Sequence, residues 1–166
     1  PERAFQIYRL AWKSITLDNC TSASGWSGSD SVSLESVNLD NCDSASGWTG
    51  ADTVTLDTTN KQEGTGCLSS AGTGTNWFQK SFSTPLNTGI TEANGYLQLW
   101  VYVSDVTKLT GGDAQIEISS SGTCDQNEYN WQLPGMGLVN GWNELKLRIS
   151  DAVKRGNPNL ASINWF

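Results

Sequence analysis

The 166-residue chain contains no histidine, and it carries only 10 lysine and arginine residues against 17 acidic ones. Histidine is the side chain that most often acts as a general acid or base near neutral pH, so its absence weighs against an enzyme. A net charge of −7 without a basic stripe weighs against nucleic acid as a partner, because a phosphate backbone would be repelled.

The sequence also lacks a hydrophobic run long enough to span a membrane. Its longest apolar stretch, residues 96–103, is interrupted by Gln98, whereas a membrane-spanning helix needs about 20 predominantly apolar residues. We therefore expect no membrane span. The chain opens with Pro-Glu-Arg, without an initiator methionine or a secretory leader, and we expect a mature product or a piece of a longer protein.

Cysteine is scarce, and its spacing indicates no metal site. Cys20, Cys42, Cys67 and Cys124 form no CxxC pair, and no histidine is present to complete a zinc set. Low charge, with abundant Ser, Thr, Asn and Gly and eight tryptophans, is typical of secreted binding modules, in which disulfides form. We expect a secreted or cell-surface protein. Four cysteines allow three complete pairings, among which the sequence does not choose.

One segment of the chain is duplicated. Residues 17–38 recur as residues 39–60, with 14 of 22 positions identical. Two copies are too few for a solenoid, which needs about three or more units to bury a continuous core. We divide the chain into residues 1–38, which are linking or closing strands that include a partial duplicate of the first strand, and residues 39–166, a single β-sandwich.

Short alternating or apolar segments separated by turn residues predict an all-β fold. Their spacing of about 10 to 15 residues is typical of an antiparallel β-sandwich, here a jelly roll, and no amphipathic helix competes. Phe82, Trp100 and Trp142 are expected to fill the interior. The predicted strands are residues 53–57, 66–70, 77–82, 95–103, 114–119, 129–133 and 143–149.

Residues 39–166 resemble the jelly-roll carbohydrate-binding modules of secreted bacterial polysaccharide-degrading enzymes. The resemblance covers about three quarters of the chain. The motifs that carry it are Leu39-Asp40-Asn41-Cys42 followed by Gly47-Trp48, Lys61-Gln62-Glu63-Gly64-Thr65-Gly66-Cys67-Leu68, Gly141-Trp142-Asn143, and Asn159-Leu160-Ala161-Ser162-Ile163-Asn164-Trp165-Phe166.

The resemblance implies a structural calcium ion and a disulfide. Asp40 and Glu63 match two calcium positions of such modules, and Asp18 would be the third carboxylate, a set of hard oxygen ligands that suits Ca²⁺. Asp40 and Glu63 fit equally well as solvated turn residues. Cys42 and Cys67 would be neighbours and could form a disulfide, or all four cysteines could be small buried hydrophobes.

The two ends of the chain depart from the family pattern. The closing strand expected after Phe166 is missing, and residues 4–19 look like that strand displaced to the beginning. These N-terminal strands could close the same sandwich, as in a circular permutant, or the sandwich of a neighbouring copy. Exchange between copies would build an open fibre. Excision from a tandem array explains the same features.

Aromatic rings beside amides and carboxylates indicate a sugar-binding surface, because pyranose C–H faces stack on rings while polar groups bind the hydroxyls. Trp48, Trp100, Trp142 and Trp165 are expected in the core, whereas Trp77 and Trp131 fit either a core or a platform position. Neutral or weakly charged polysaccharides fit the net charge best. The candidate residues are Asn127, Glu128, Tyr129, Asn130 and Trp131, with Asn76 and Trp77 as a second group.

Glu117, Asp125 and Glu128 are the carboxylates that could in principle act in glycoside hydrolysis, but they lie in no recognisable catalytic motif. We therefore expect a non-catalytic extracellular carbohydrate-binding module. The alternative is a structural repeat subunit of an extracellular fibre or adhesin, assembled head-to-tail with further copies of itself by strand exchange.

Overall fold

The computed structural model describes residues 5–14, 37–62, 64–70, 77–109, 112 and 114–166, with the backbone alone for residues 5–14. These residues form short strands joined by turns and loops. The strands are β1 (Phe5–Ser14), β2 (Asn38–Asp40), β3 (Trp48–Gly50), β4 (Val54–Asp57), β5 (Cys67–Ser70), β6 (Phe78–Leu86), β7 (Gly95–Val103), β8 (Gln115–Ser119), β9 (Glu128–Gln132), β10 (Gly141–Arg148), β11 (Val153–Arg155) and β12 (Ile163–Trp165).

The strands form two six-stranded antiparallel sheets. The first has the order β10-β7-β1-β5-β4, with β2 also paired to β1, and the second has the order β11-β9-β8-β12-β6-β3. The prediction of an antiparallel all-β sandwich is confirmed, whereas jelly-roll connectivity stays a prediction. The three-residue strands β3, β11 and β12 were not predicted, because such short segments carry too little alternation to be recognised.

Helical structure in the described part of the chain is limited to two 3-10 turns, η1 (Val106–Lys108) and η2 (Ile149–Asp151). Gly156 and Pro158 follow η2 closely and leave no room for a longer helix. Neither turn has the length or the apolar character to cross a membrane.

Strand β7 shows how alternation builds the core. Leu97, Leu99, Val101 and Val103 have at most 1% of their surface exposed, while the residues between them are half-buried on the opposite face. The second sheet supplies the other side of one continuous apolar cluster. Its contributions include Phe78, Ile116, Ile118, Tyr129, Trp131 and Ile163.

The N-terminal strand β1 lies inside the first sheet. It pairs along one side with β7, from Phe5↔Val103 to Ser14↔Gly95, and along the other side with β5 and β2. Strands β5 and β7 therefore lie on opposite sides of β1 and are joined through it. Residues 39–166 alone would leave an internal gap in this sheet.

The aromatic residues predicted to fill the core divide into two groups. Trp48 and Trp165 are buried, as expected, with 6% and 7% of their surface exposed. Trp100 and Trp142 are half-buried on the outer face of the first sheet, and Phe82 packs against the core only in part. The expectation that Trp100 and Trp142 fill the interior is therefore wrong.

Candidate functional site

Two of the predicted sugar-binding aromatics lie in the core. Tyr129 and Trp131 are 2% and 3% exposed, and their polar atoms have internal partners. The Trp131 indole donates to the carbonyl of Arg148 at 2.8 Å, and the Tyr129 hydroxyl donates to Glu92 at 2.7 Å. A sugar ring cannot stack on rings buried between the sheets, so the structure corrects the prediction of a platform at these two residues.

The polar members of the same segment face the other way. Glu128 and Asn130 alternate with Tyr129 and Trp131 and lie on the side of the second sheet that is turned away from the first sheet. They are nevertheless only 0% and 2% exposed. Asn127 lies in the preceding loop, where its side chain accepts the backbone N–H of Asn157 at 2.9 Å.

Of the second predicted group, Asn76 and Trp77, the structure describes only Trp77. Trp77 is 43% exposed just before β6, so its ring is open to a ligand. The Trp77 carbonyl accepts the backbone N–H of Ala51 at 3.4 Å, which ties this position to the loop after β3. Asn76 lies outside the described residues.

A larger aromatic and polar surface lies on the outer face of β7 and β10. The register places Trp142 opposite Tyr102 and Glu144 opposite Trp100, so rings and polar groups alternate along two neighbouring strands. We call this surface the outer face. Its residues are Tyr96, Gln98, Trp100 and Tyr102 of β7 with Trp142, Glu144, Lys146 and Arg148 of β10.

Contacts across the strands order the side chains of the outer face. The rings of Tyr102 and Trp142 meet edge to face with centroids 5.4 Å apart, and the Trp142 indole donates to Asn60 at 3.1 Å. Glu144 accepts a hydrogen bond from Gln98 and lies 3.3 Å from the Lys146 ammonium. The outer face therefore combines half-buried rings with hydrogen-bonded amide and charged side chains.

The sequence contained a signal that Trp100 faces away from the core, and the prediction that Trp100 fills the interior did not take it into account. Gln98 shares the two-residue phase of Tyr96, Trp100 and Tyr102, and a polar residue in that phase indicates a face turned from the core. The edge of the outer face borders an open groove of about 500 Å³ with walls from β9 and β10.

An acidic cluster forms beside the connection between β8 and β9. One carboxylate oxygen from each of Glu117, Asp125 and Glu128 lies within 4.8 Å of the others. Burial first, and then the charges of Glu128 and Asp125, raise the pKa of Glu117 to about 7. Burial also raises the pKa of Glu128. The structure thus brings together the three carboxylates considered for glycoside hydrolysis, but Glu128 has no exposed surface through which a substrate could reach it.

The predicted calcium residues are only partly described. Asp40 forms an ion pair with Lys80 and accepts the backbone N–H of Cys42 at 2.7 Å. A calcium ion at Asp40 would have to displace the lysine ammonium. Glu63 and Asp18 lie outside the described residues, and calcium at this site stays a prediction.

Cys42 and Cys67 are buried, and the structure has them as thiols. The Cys67 sulfur donates to the carbonyl of Asn60 at 3.0 Å. Burial, followed by the charge of Asp40, raises the pKa of the Cys42 thiol, and the charge of Cys67 contributes to the same shift. The predicted disulfide is not formed in this structure, but the two cysteines are close enough to interact, and their pairing stays a prediction for oxidising conditions.

Comparison of the chain with protein-family models, with curated proteins and with solved structures finds no match.

Proposed function

We propose that this chain is a non-catalytic extracellular structural subunit that assembles head-to-tail, with β1 of each copy completing the first sheet of the next. The position of β1 between β5 and β7 is the observation that carries this proposal. The same strand can complete the sheet of its own chain or of a neighbour.

The strand is indispensable to the sheet that receives it. Leu97, Leu99 and Val101 of β7 are fully buried, and β1 covers the hydrogen-bonding edge of β7 through eight register pairs. Without β1, both β7 and β5 would present unpaired edges, which are templates for addition of a strand. A sandwich that lacks this strand therefore binds one from elsewhere.

The connection from β1 to β2 is long enough for exchange. Residues 15–37 separate the two strands. The strands are antiparallel neighbours, which a hairpin loop of about two to five residues is normally enough to join. The connection over residues 15–37 spans up to about 75 Å when extended, which exceeds the diameter of one sandwich. Exchange of β1 between copies keeps the same contacts, and a head-to-tail arrangement leaves the ends of the assembly open for further addition.

Engineered cysteines at register partners distinguish the two modes of closure. Ile7 pairs with Val101 across β1 and β7, so Ile7→Cys/Val101→Cys in a chain with its native cysteines replaced by alanine should cross-link. Exchange predicts a ladder of covalent multimers on a non-reducing gel. Gln98→Cys/Lys146→Cys joins β7 to β10 and should give only intramolecular links.

Filament length provides a second measurement on the unmodified chain. Excess peptide of sequence FQIYRLAWKS, residues 5–14, should occupy the open acceptor sheet and shorten the filaments seen by negative-stain electron microscopy. The same peptide with Ile7→Pro should have little effect, because proline removes a ladder hydrogen bond. Compact particles, together with exclusively intramolecular cross-links in the Ile7→Cys/Val101→Cys variant, would refute exchange.

A second candidate function, polysaccharide binding, is favoured by the outer face of β7 and β10. Trp100, Tyr102 and Trp142 provide ring surface, and Gln98 and Glu144 provide ordered polar groups beside it. The mixture of one acidic and two basic residues on β10 favours neutral or weakly charged sugars. Assembly and sugar binding use different surfaces and are compatible.

Glycan arrays followed by titration test this second function. Trp100→Ala should weaken binding about 10-fold, since an aromatic contact contributes up to about 1.5 kcal/mol and 1.4 kcal/mol corresponds to a factor of ten. Trp77→Ala, at the exposed aromatic remote from β7 in the chain, is the matched comparison. Loss of binding in Trp77→Ala with retention in Trp100→Ala would place the site at Trp77 instead.

A further inference from the structure

The geometry of the acidic cluster matches the size of a metal ion. Glu117 belongs to β8, Glu128 to β9, and Asp125 to the connection between them. Their oxygens lie within 4.8 Å of one another. Calcium binds oxygen at about 2.3–2.6 Å, so ligands on opposite sides of one ion are about 4.6–5.2 Å apart. A single ion could contact all three carboxylates without rearrangement of the strands.

One oxygen of Glu128 lacks a hydrogen bond in the folded chain. Glu128 has no exposed surface, and its Oε1 has no hydrogen-bond donor, while its Oε2 accepts the backbone N–H of Asp125 at 2.5 Å. A buried carboxylate oxygen without a hydrogen bond is costly, because no protein donor replaces the hydrogen bonds that it made to water. A cation held by the three carboxylates would satisfy this oxygen.

Arg155 is the positive charge already present beside the cluster. Its guanidinium pairs with the exposed Asp125 carboxylate and lies 3.5 Å from Glu128 Oε1, which is an ion pair without a hydrogen bond. The unsatisfied Glu128 oxygen is therefore turned toward the Asp125 side of the cluster. The Arg155 side chain is 48% exposed and can turn into solvent. When all three carboxylates are ionised, the single guanidinium leaves an excess of negative charge that a divalent cation would neutralise.

The chemistry of the donors selects the class of metal. All three side chains offer carboxylate oxygen, and amide groups surround them, with Asn130 donating to Glu117 at 2.9 Å. Oxygen-only donor sets suit hard cations, and the irregular arrangement suits Ca²⁺ better than Mg²⁺, which demands octahedral geometry. We propose that Glu117, Asp125 and Glu128 form a binding site for a hard divalent cation, and that this cation is Ca²⁺.

Calorimetric titration of the full chain with CaCl₂, after treatment with a chelator, tests this site. Asp125→Asn removes a ligand at the surface without disturbing the core, and it should weaken Ca²⁺ binding by at least about 10-fold, since even outer-shell partners of metals contribute about 10- to 100-fold. Arg155→Gln removes the competing cation and should strengthen binding. Asp52→Asn alters an exposed carboxylate outside the cluster and should leave binding unchanged.

Glu128→Gln provides an independent variant, with circular dichroism to verify that it folds. Absence of saturable Ca²⁺ binding by the wild-type chain would overturn the proposal. Binding that survives both Asp125→Asn and Glu128→Gln would also overturn it. If that binding were lost in Asp40→Asn, the ion would bind at β2 instead.

Discussion

The carboxylate of Asp43 accepts hydrogen bonds from the backbone N–H groups of Thr65 at 2.6 Å and Gly66 at 3.1 Å, across more than 20 residues of sequence. These bonds lower the pKa of Asp43. The contact ties the loop after β2 to the turn before β5. The Asp43 side chain therefore joins these two segments directly.

Removal of the Asp43 acceptor should destabilise the fold. Asp43→Ala is expected to lower the melting temperature by about 2–4 °C, the shift that corresponds to about one hydrogen bond in a domain of this size. Asp43→Asn keeps an acceptor oxygen and should have a smaller effect. Because the folded-state pKa of Asp43 is lowered, its contribution is present above the ordinary value of 3.8 and is lost as the pH falls below it. Equal melting temperatures for Asp43→Ala and the control Asp52→Ala would contradict this role.

Trp48 should contribute through its ring and not through its indole N–H. The ring meets Phe166 edge to face at 5.7 Å, while the buried Nε1 has no hydrogen-bond partner. Trp48→Ala is expected to cost about 3–5 kcal/mol of unfolding free energy, measured by chemical denaturation, and Trp48→Phe should cost far less. Trp77→Ala at an exposed position should remain within about 0.5 kcal/mol of wild type. A similar loss in Trp48→Phe and Trp48→Ala would mean that the N–H is bonded.

Stability in the presence of a chelator should fall as the pH rises through the titration of Glu117. The native state raises the pKa of Glu117 from 4.5 to about 7, and so binds its proton more tightly than the unfolded state does. This contribution to stability is fully present below 4.5 and is lost as the pH rises to about 7 and above. Glu117→Gln should flatten the dependence of melting temperature on pH, whereas Glu144→Gln should leave it unchanged. An unaltered pH profile in Glu117→Gln would refute the assignment.

Oxidation should join Cys42 to Cys67. We expect peptide mapping by mass spectrometry to identify this disulfide after mild oxidation, with the intact mass reduced by two hydrogen atoms. The reaction of the folded chain should be slow, because burial raises the pKa of Cys42 and leaves little thiolate. Cys67→Ala should abolish the product, and Cys124→Ala should not. A disulfide between Cys20 and either buried cysteine would contradict this pairing.

Much of the secondary structure was predictable from local pattern, because β-strands are marked by alternation and turn residues. The segment 95–103 coincides with β7, and the predicted strands at 114–119 and 129–133 match β8 and β9 within one residue. The candidate site was predicted less well. Alternation shows that Tyr129 and Glu128 face opposite ways, but it does not show which of the two faces is covered.

The sequence by itself determined the class of fold and the duplicated segment, because composition, periodicity and repetition are local properties of the chain. Only the tertiary structure decided that Trp131 is buried and Trp100 lies outside, since this depends on which face of each strand meets the opposite sheet. It also decided that Glu117, Asp125 and Glu128 meet, because strand register brings together side chains that the sequence separates.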